Sequence, residues 1–243
     1  MIFDRDALTF EYHHAFMAGL SLLPVEKHQS NKLRVLVLGT GAAVFPMFMR
    51  SQFADRLEKM VTVDISENML KVAQDHFGFT PDDGVIESVV ADAYEYVESA
   101  GTEQFDLIFM DVSYEEGNTG VSPPLKYLQP NFITKVVSML KPGGLAAYNT
   151  IIKDRENARL CNNYAKSVKG CMKFGTATKE DKNVVVHFIK GEFSKEQKND
   201  LLDADIRTMR LGKLVTAWGL NKVIFLNRKT MKIYDHALEM VEL

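Results

Sequence analysis

From residue 33 onward, short uninterrupted apolar runs alternate with amphipathic segments, and that alternation leaves few folds open to the chain. Apolar runs separated by helix-length stretches are the mark of strand–helix–strand units and a mostly parallel sheet. LRVLVLG from Leu33 reads as a buried strand ending in glycine. KMVTVDI from Lys59, residues 85–91, FDLIFMDV from Phe105 and GLAAYNTII from Gly144 read as four more of the same kind. Between the second and third, SENMLKVAQDHFGF places Met69, Leu70, Ala73 and Phe77 on one helical face, with Ser66 able to cap the first turn. A second helix is expected over about residues 128–140, with Phe132, Ile133, Val136, Val137 and Leu140 inward and Lys141-Pro142-Gly143-Gly144 stopping it. Residues 168–174 and VVVHFIKG have no helix-length segment between them, so they are expected to form a hairpin and give the sheet an antiparallel edge. Ser194 and Gln197 form a capping-box pattern ahead of Leu201, Leu202, Ile206 and Met209. A tail with Trp218 and the strand-like VIFLN follows.

Composition narrows the partners. A chain of 243 residues, 46% hydrophobic and 25% charged, suits a globular α/β protein, and its net charge of -3 argues against tracking a nucleic-acid backbone. Two cysteines, Cys161 and Cys171, are too few for a disulfide framework and too widely spaced for a CxxC zinc site. They read as reduced thiols of a cytoplasmic protein. Asp4 and Asp6 stand where an export signal would be basic. The uncharged stretch 35–49 is shorter than the ~20 residues that span a bilayer and holds Gly39, Gly41 and Pro46, so it reads as strand, turn and helix. No membrane partner is expected. The histidines at 13, 14, 28, 76, 187 and 236 show no zinc-ligand spacing, so no metal is expected.

The chemistry collects at strand ends. Gly39-Thr40-Gly41 sits between the first strand and first helix, where a glycine turn lets the backbone approach a ligand. Asp64 closes the second strand 25 positions after Gly39, about where an acid accepts hydrogen bonds from ribose hydroxyls. Asp92, followed by Ala93, ends the third strand; it suits an exocyclic adenine amine and equally the N-cap of the next helix. Val44 stands where a pyrophosphate loop wants a small residue, which disfavours a dinucleotide. Asp111 ends the fourth strand and should face the acceptor, although an acid there can also serve loop amides. The loop 112–124 that follows is a candidate rim.

In order, spacing and strand context these pieces resemble the class I S-adenosylmethionine methyltransferases, over roughly residues 33–191. The resemblance implies a Rossmann-like α/β fold: a seven-stranded, mostly parallel sheet with strand 7 antiparallel and helices on both faces. It implies S-adenosylmethionine as cofactor, S-adenosylhomocysteine as product, and Gly39, Thr40, Gly41, Asp64, Ile65, Asp92, Ala93 and Asp111 as cofactor-binding residues. A narrower resemblance lies in FDLIFMDVS followed by GVSPP, which is similar to the strand-four motif of spermidine synthases and their methyltransferase relatives. There the acid matching Asp111 orients and helps deprotonate an amine. Residues 10–20 resemble the Tyr-His helix of those enzymes and so add Tyr12 and His13 to Asp111 as candidate catalytic residues, with packing as the alternative role.

Taken with SENMLKVAQDHFGF and VVADAYEYV, nearly the whole chain is similar to the C-terminal methyltransferase domain of the methyltransferase-like 13 family. That likeness implies a protein substrate, elongation factor 1-alpha, methylated at its α-amino terminus. It also implies residues 1–30 as a helical segment bordering the active site, residues 31–243 as the methyltransferase domain, and a homodimer by analogy with polyamine-type relatives. Three features depart from the pattern: Ala42 and Ala43 replace expected glycines, Ser113 and Tyr114 replace a second acid, and only one methyltransferase domain is present. The rival expectations are an aminopropyltransferase, for which the missing acid is a poor match, and a non-catalytic binding module on the same fold.

Overall fold

The computed structural model describes residues 7–8, 10–23, 32–81, 83–113, 121–178 and 183–218. Helix α1 (Glu11–Ala18) runs into a single 3-10 turn (Gly19–Leu22). Strand β1 (Leu33–Leu38), helix α2 (Val44–Gln52), strand β2 (Leu57–Asp64), helix α3 (Glu67–Phe77), strand β3 (Ile86–Val90), helix α4 (Ala93–Ser99) and strand β4 (Phe105–Met110) then alternate as the apolar runs require. A two-residue strand, β5 (Val121–Ser122), precedes helix α5 (Pro130–Met139) and the long strand β6 (Leu140–Ile152). Helix α6 (Arg155–Ser167), strands β7 (Cys171–Ala177) and β8 (Val184–Lys190), and helices α7 (Lys195–Leu202) and α8 (Ala204–Ala217) complete the described chain.

Seven strands lie in the order β3-β2-β1-β4-β6-β8-β7, with β5 paired to the end of β6. Pairing is parallel from β3 through β6; β8 runs antiparallel to both its neighbours. The expected hairpin is therefore present, but its antiparallel arm is not the edge. The crossover through α6 carries the chain two places beyond β6, and the hairpin return fills the gap, leaving β7 outermost and parallel to β6. Strand β7 also starts three residues later than position 168, because Val168 ends α6 and is buried there.

Alternation along each strand assigns residues to two cores. Val35, Val37, Leu107, Phe109, Leu145 and Ala147 point to the face covered by α1, α2, α3 and α8, whereas Leu36, Leu38, Ile108, Met110, Ala146 and Tyr148 point to the face covered by α4, α5 and α6. Covering both faces is why these strands read as continuous apolar runs. The caps are as expected: Ser66 accepts the Met69 N–H, and Ser194 and Gln197 form the reciprocal box that starts α7. Phe132, Ile133, Val136, Val137 and Leu140 are all buried, but Leu140 already belongs to β6, and the Lys141–Gly144 stretch is a bulge between the pairs Phe105–Leu140 and Leu107–Leu145. In α3 only Ala73 is fully buried, and Met69 faces solvent. The helix after Ser194 breaks at Asp203, whose carboxylate caps α8, so Met209 turns outward at 52% exposure while Leu211, Leu214 and Val215 take the core. VIFLN lies outside the described residues. The cysteines are free, and burial pushes the Cys171 thiol up to about 11.

One buried histidine ties α1 to the sheet. Gly19 passes so close to His187 on β8 that a Cβ there would stand 2.5 Å from Cδ2, and His187 Nε2 lies 3.1 Å from the Ala15 carbonyl oxygen, to which it donates. Burial pushes the His187 pKa down to about 4, against the opposing pull of that carbonyl. The unfolded chain takes up a proton below the ordinary value of 6.5, which the native state resists until about pH 4. Stability held by neutral His187 is thus complete above pH 6.5 and falls away toward pH 4, by about 3 kcal/mol. Urea unfolding of wild type and His187→Gln at pH 7 and pH 4 should show the wild type losing about that much more than the variant; equal losses would refute the assignment.

Candidate active site

The ladder gathers the strand ends. Leu38 pairs with Val63 on one side and Met110 on the other, so the next residues, Gly39, Asp64 and Asp111, converge where the strand order reverses. They line a cleft of about 510 Å³ whose far wall is residues 124–127. Gly39 has φ +91°, and a Cβ there would stand 2.3 Å from the Asp111 carbonyl oxygen, so only glycine fits between the tips of β1 and β4. The turn is held from the side: Asp64 Oδ2 accepts the Gly41 N–H at 2.8 Å and Oδ1 accepts the Ser66 N–H at 2.9 Å. Each oxygen keeps a lone pair for a ligand. Ala43, where a glycine was expected, adopts φ +59° with its methyl group buried in the core.

Thr40 does not line the cleft. It is buried, and its carbonyl closes the turn by accepting the Ala43 N–H at 2.9 Å. Ile65 does line it, with 64% of its surface open. Asp92 caps α4 by accepting the Tyr94 N–H at 2.7 Å, and with Ala93 it also lines the cleft. Tyr127 donates to the same oxygen at 3.0 Å, and Lys126 reaches the other at 3.1 Å while lying over the Tyr94 and Tyr127 rings. Burial works to raise the Asp92 pKa, but the Tyr94 amide, Lys126 and Tyr127 together hold it below the ordinary carboxylate value. Burial and the adjacent Asp92 carboxylate push the Tyr127 phenol up.

At the other end, Asp111 meets α1. Tyr12 donates its hydroxyl to Asp111 Oδ2 at 3.0 Å, and Asn149 of β6 donates its amide to Oδ1 at 2.9 Å. His13 Nε2 stands 3.7 Å from Oδ2, beyond hydrogen-bond length, with its ring stacked on Phe45 at 5.1 Å. His14 faces elsewhere, 2.8 Å from the Leu8 carbonyl oxygen. Lys126, Tyr127 and Asn149 were missed in the sequence. The signal for Asn149 was there: with Thr150 it interrupts the apolar run GLAAYNTII toward the carboxyl end of a buried strand. Among the described residues no His, Cys, Asp and Glu cluster is arranged to hold a metal ion.

Residues 36–148, which include the strands and turns forming most of this cleft, match the family model described as a methyltransferase domain. The human eEF1A lysine and N-terminal methyltransferase is 34% identical over 158 residues, 62% of this chain but 22% of that protein, so the chain spans about a fifth of that relative's length. A polyamine aminopropyltransferase from Aeropyrum pernix is 25% identical over 239 residues, covering 88% of this chain and 71% of that protein. The crystal structure of human methyltransferase-like protein 13 in complex with SAH has the same fold, with a TM-score of 0.71 at 23% identity, over 87% of this chain and 94% of that one. The family match and the strand-end carboxylates agree: residues 36–148 match a methyltransferase domain, on a fold shared with human methyltransferase-like protein 13.

Proposed function

We propose that this enzyme methylates an amine on a protein, the N-terminal α-amino group of elongation factor 1-alpha. The observation that carries the reading is Asp111, the one carboxylate at the acceptor end among the described residues, oriented by two neutral donors.

The cleft fits the cofactor by its donors and acceptors. Three carboxylates, Asp64, Asp92 and Asp111, and the apolar surface of Ile65 suit a ligand rich in hydroxyl and amine hydrogens, and they would repel phosphates. Among the described residues the one lysine lining the cleft, Lys126, is already paired with Asp92. In this reading Asp64 accepts the ribose hydroxyls, Asp92 accepts the adenine amine, Ile65 covers the ring, and Gly39 and Gly41 admit the ligand to the backbone. S-adenosylmethionine supplies a methyl group activated on a sulfonium. Asp111 accepts a hydrogen bond from the neutral amine, aims its lone pair along the cleft and balances the positive charge that arrives on nitrogen. An α-amino group, with a pKa of about 8 against about 10.4 for lysine, is neutral often enough at cellular pH to need no strong base. Tyr12 holds the Asp111 carboxylate, and His13 supports Tyr12 through ring contact. Residues 1–30 then serve as the segment bordering the site and 31–243 as the catalytic domain. A cytoplasmic location follows from the substrate; no helix among the described residues is long and apolar enough to cross a membrane.

Aminopropyl transfer is the second reading, favoured by the length of the match to the Aeropyrum enzyme. A polycation calls for several acids, and at the acceptor end Ser113 stands where the polyamine motif has one. Calorimetric titration with S-adenosylmethionine, S-adenosylhomocysteine and decarboxylated S-adenosylmethionine separates the two. Tight binding of the first two, followed by methylation of an elongation factor 1-alpha N-terminal peptide but not its Nα-acetylated form, is expected. Preference for the decarboxylated compound would overturn the proposal.

A further inference from the structure

Asp111 does not orient itself. Its Oδ1 is held by Asn149, and Asn149 Oδ1 in turn accepts the side-chain amide of Asn183 at 2.6 Å. Alternation puts all three residues on the face covered by α1, since Asp111 follows the parity of Phe109, Asn149 that of Ala147, and Asn183 that of Val185. Asn183 is 4% exposed and rigidly placed at the start of the return arm of the hairpin. Its N–H donates to Thr178 Oγ1 at 2.8 Å, and its carbonyl accepts the Thr178 N–H at 2.8 Å and hydroxyl at 3.1 Å.

Donor chemistry dictates the direction of this chain. An ionised carboxylate only accepts, so Asn149 must present its NH2 group to Asp111 and its oxygen to Asn183, and Asn183 must donate. Were Asn149 turned over, its carbonyl oxygen would face the Asp111 carboxylate, acceptor against acceptor. We propose that Asn183 is a positioning residue for the acceptor site: by filling Asn149 Oδ1 it fixes which face of that amide meets Asp111, and so keeps Asp111 Oδ1 saturated and Oδ2 turned to Tyr12 and the incoming amine. Successive donors polarise one another, so the far amide also strengthens the near bond. The inference rests on the amine-methylating role of Asp111.

Asn183→Asp and Asn183→Ala test it. Asp keeps the shape of Asn but, ionised, accepts where Asn donated, and Asn149 must turn its NH2 group away from Asp111. On an elongation factor 1-alpha N-terminal peptide, kcat is expected to fall about 100-fold for Asn183→Asp and about 10-fold for Asn183→Ala, with KM for S-adenosylmethionine within about twofold of wild type. A packing role alone would make the isosteric Asp the milder change. A second readout needs no substrate: in protein labelled with 15N-asparagine, the Asn149 side-chain NH2 protons, assigned by their loss in Asn149→Ser, should exchange about 10-fold faster in Asn183→Ala. Unchanged exchange, or wild-type kcat in both variants, overturns the relay. Faster exchange in a protein whose wild type leaves the peptide unmethylated keeps the relay and overturns the amine reading. If Asn183→Asp does not fold, Asn183→Ala carries both measurements.

Discussion

Replacing Asp111 with Asn is expected to lower methyl transfer about 100- to 1,000-fold while leaving cofactor affinity within about threefold. The change preserves shape and alters donors and charge. In the wild type Tyr12 and Asn149 both donate to Asp111, at 3.0 and 2.9 Å. An amide can satisfy one of them with its oxygen, but it must then point its own NH2 group at the other donor and at the incoming amine. The ammonium formed by transfer loses its counter-charge in the same step, so the transition state suffers more than the ground state. Single-turnover rates with the N-terminal peptide, beside calorimetric titration of S-adenosylmethionine, measure the two effects separately. A variant that turns over like wild type would remove Asp111 from the chemistry.

Gly39→Ala is the second large effect, and it acts on the opposite quantity. A Cβ at this position would lie 2.3 Å from the Asp111 carbonyl oxygen and 2.6 Å from its carbonyl carbon, on a backbone with φ +91°. The obstacle is backbone, which cannot rotate aside, so the tips of β1 and β4 must part. Strain at a left-handed residue and the lost tip geometry together are expected to cost about 3 kcal/mol of stability. The cleft opens between the same tips, so S-adenosylmethionine affinity should fall more than about 100-fold, equivalent to about 2.7 kcal/mol. Urea unfolding and calorimetry check both; wild-type affinity in Gly39→Ala would mean that the tips separate freely and that the turn is not the cofactor's seat.

The parts legible in the sequence were those set by position along a strand. Gly39, Asp64, Asp92 and Asp111 each end an apolar run, and a parallel sheet brings such ends together whatever the lengths of the helices between them. The parts that escaped depend on contacts between distant segments. Asn149 lies beside Thr150 inside an otherwise apolar strand and Asn183 ends the charged run at 179–182, and nothing local says that one donates to the other or to Asp111. Helix α6 escaped because it is mostly polar, with Ala165 its one buried side chain among those described and Cys161 and Tyr164 only partly covered, although Asp154 caps it and could have marked its start. Thr40 shares the turn with two glycines, but its side chain is buried and its carbonyl closes the turn, a placement that the sequence does not show. The β7–β8 pair was recognised as a hairpin, but a hairpin alone does not say which arm lies inside; the crossover through α6 does.

The shared partner of Val63 and Met110 has an evolutionary corollary. Because Leu38 pairs with both, Asp64 and Asp111 stand one strand to either side of β1, a separation of about two inter-strand spacings, or roughly 10 Å. Backbone hydrogen bonds, not side chains, act as the ruler between the nucleoside and the group that receives the methyl. Substitution in the surrounding loops can exchange one acceptor for another without recalibrating that distance, and a lineage could move from small amines to protein termini by remodelling only what lies beyond Asp111.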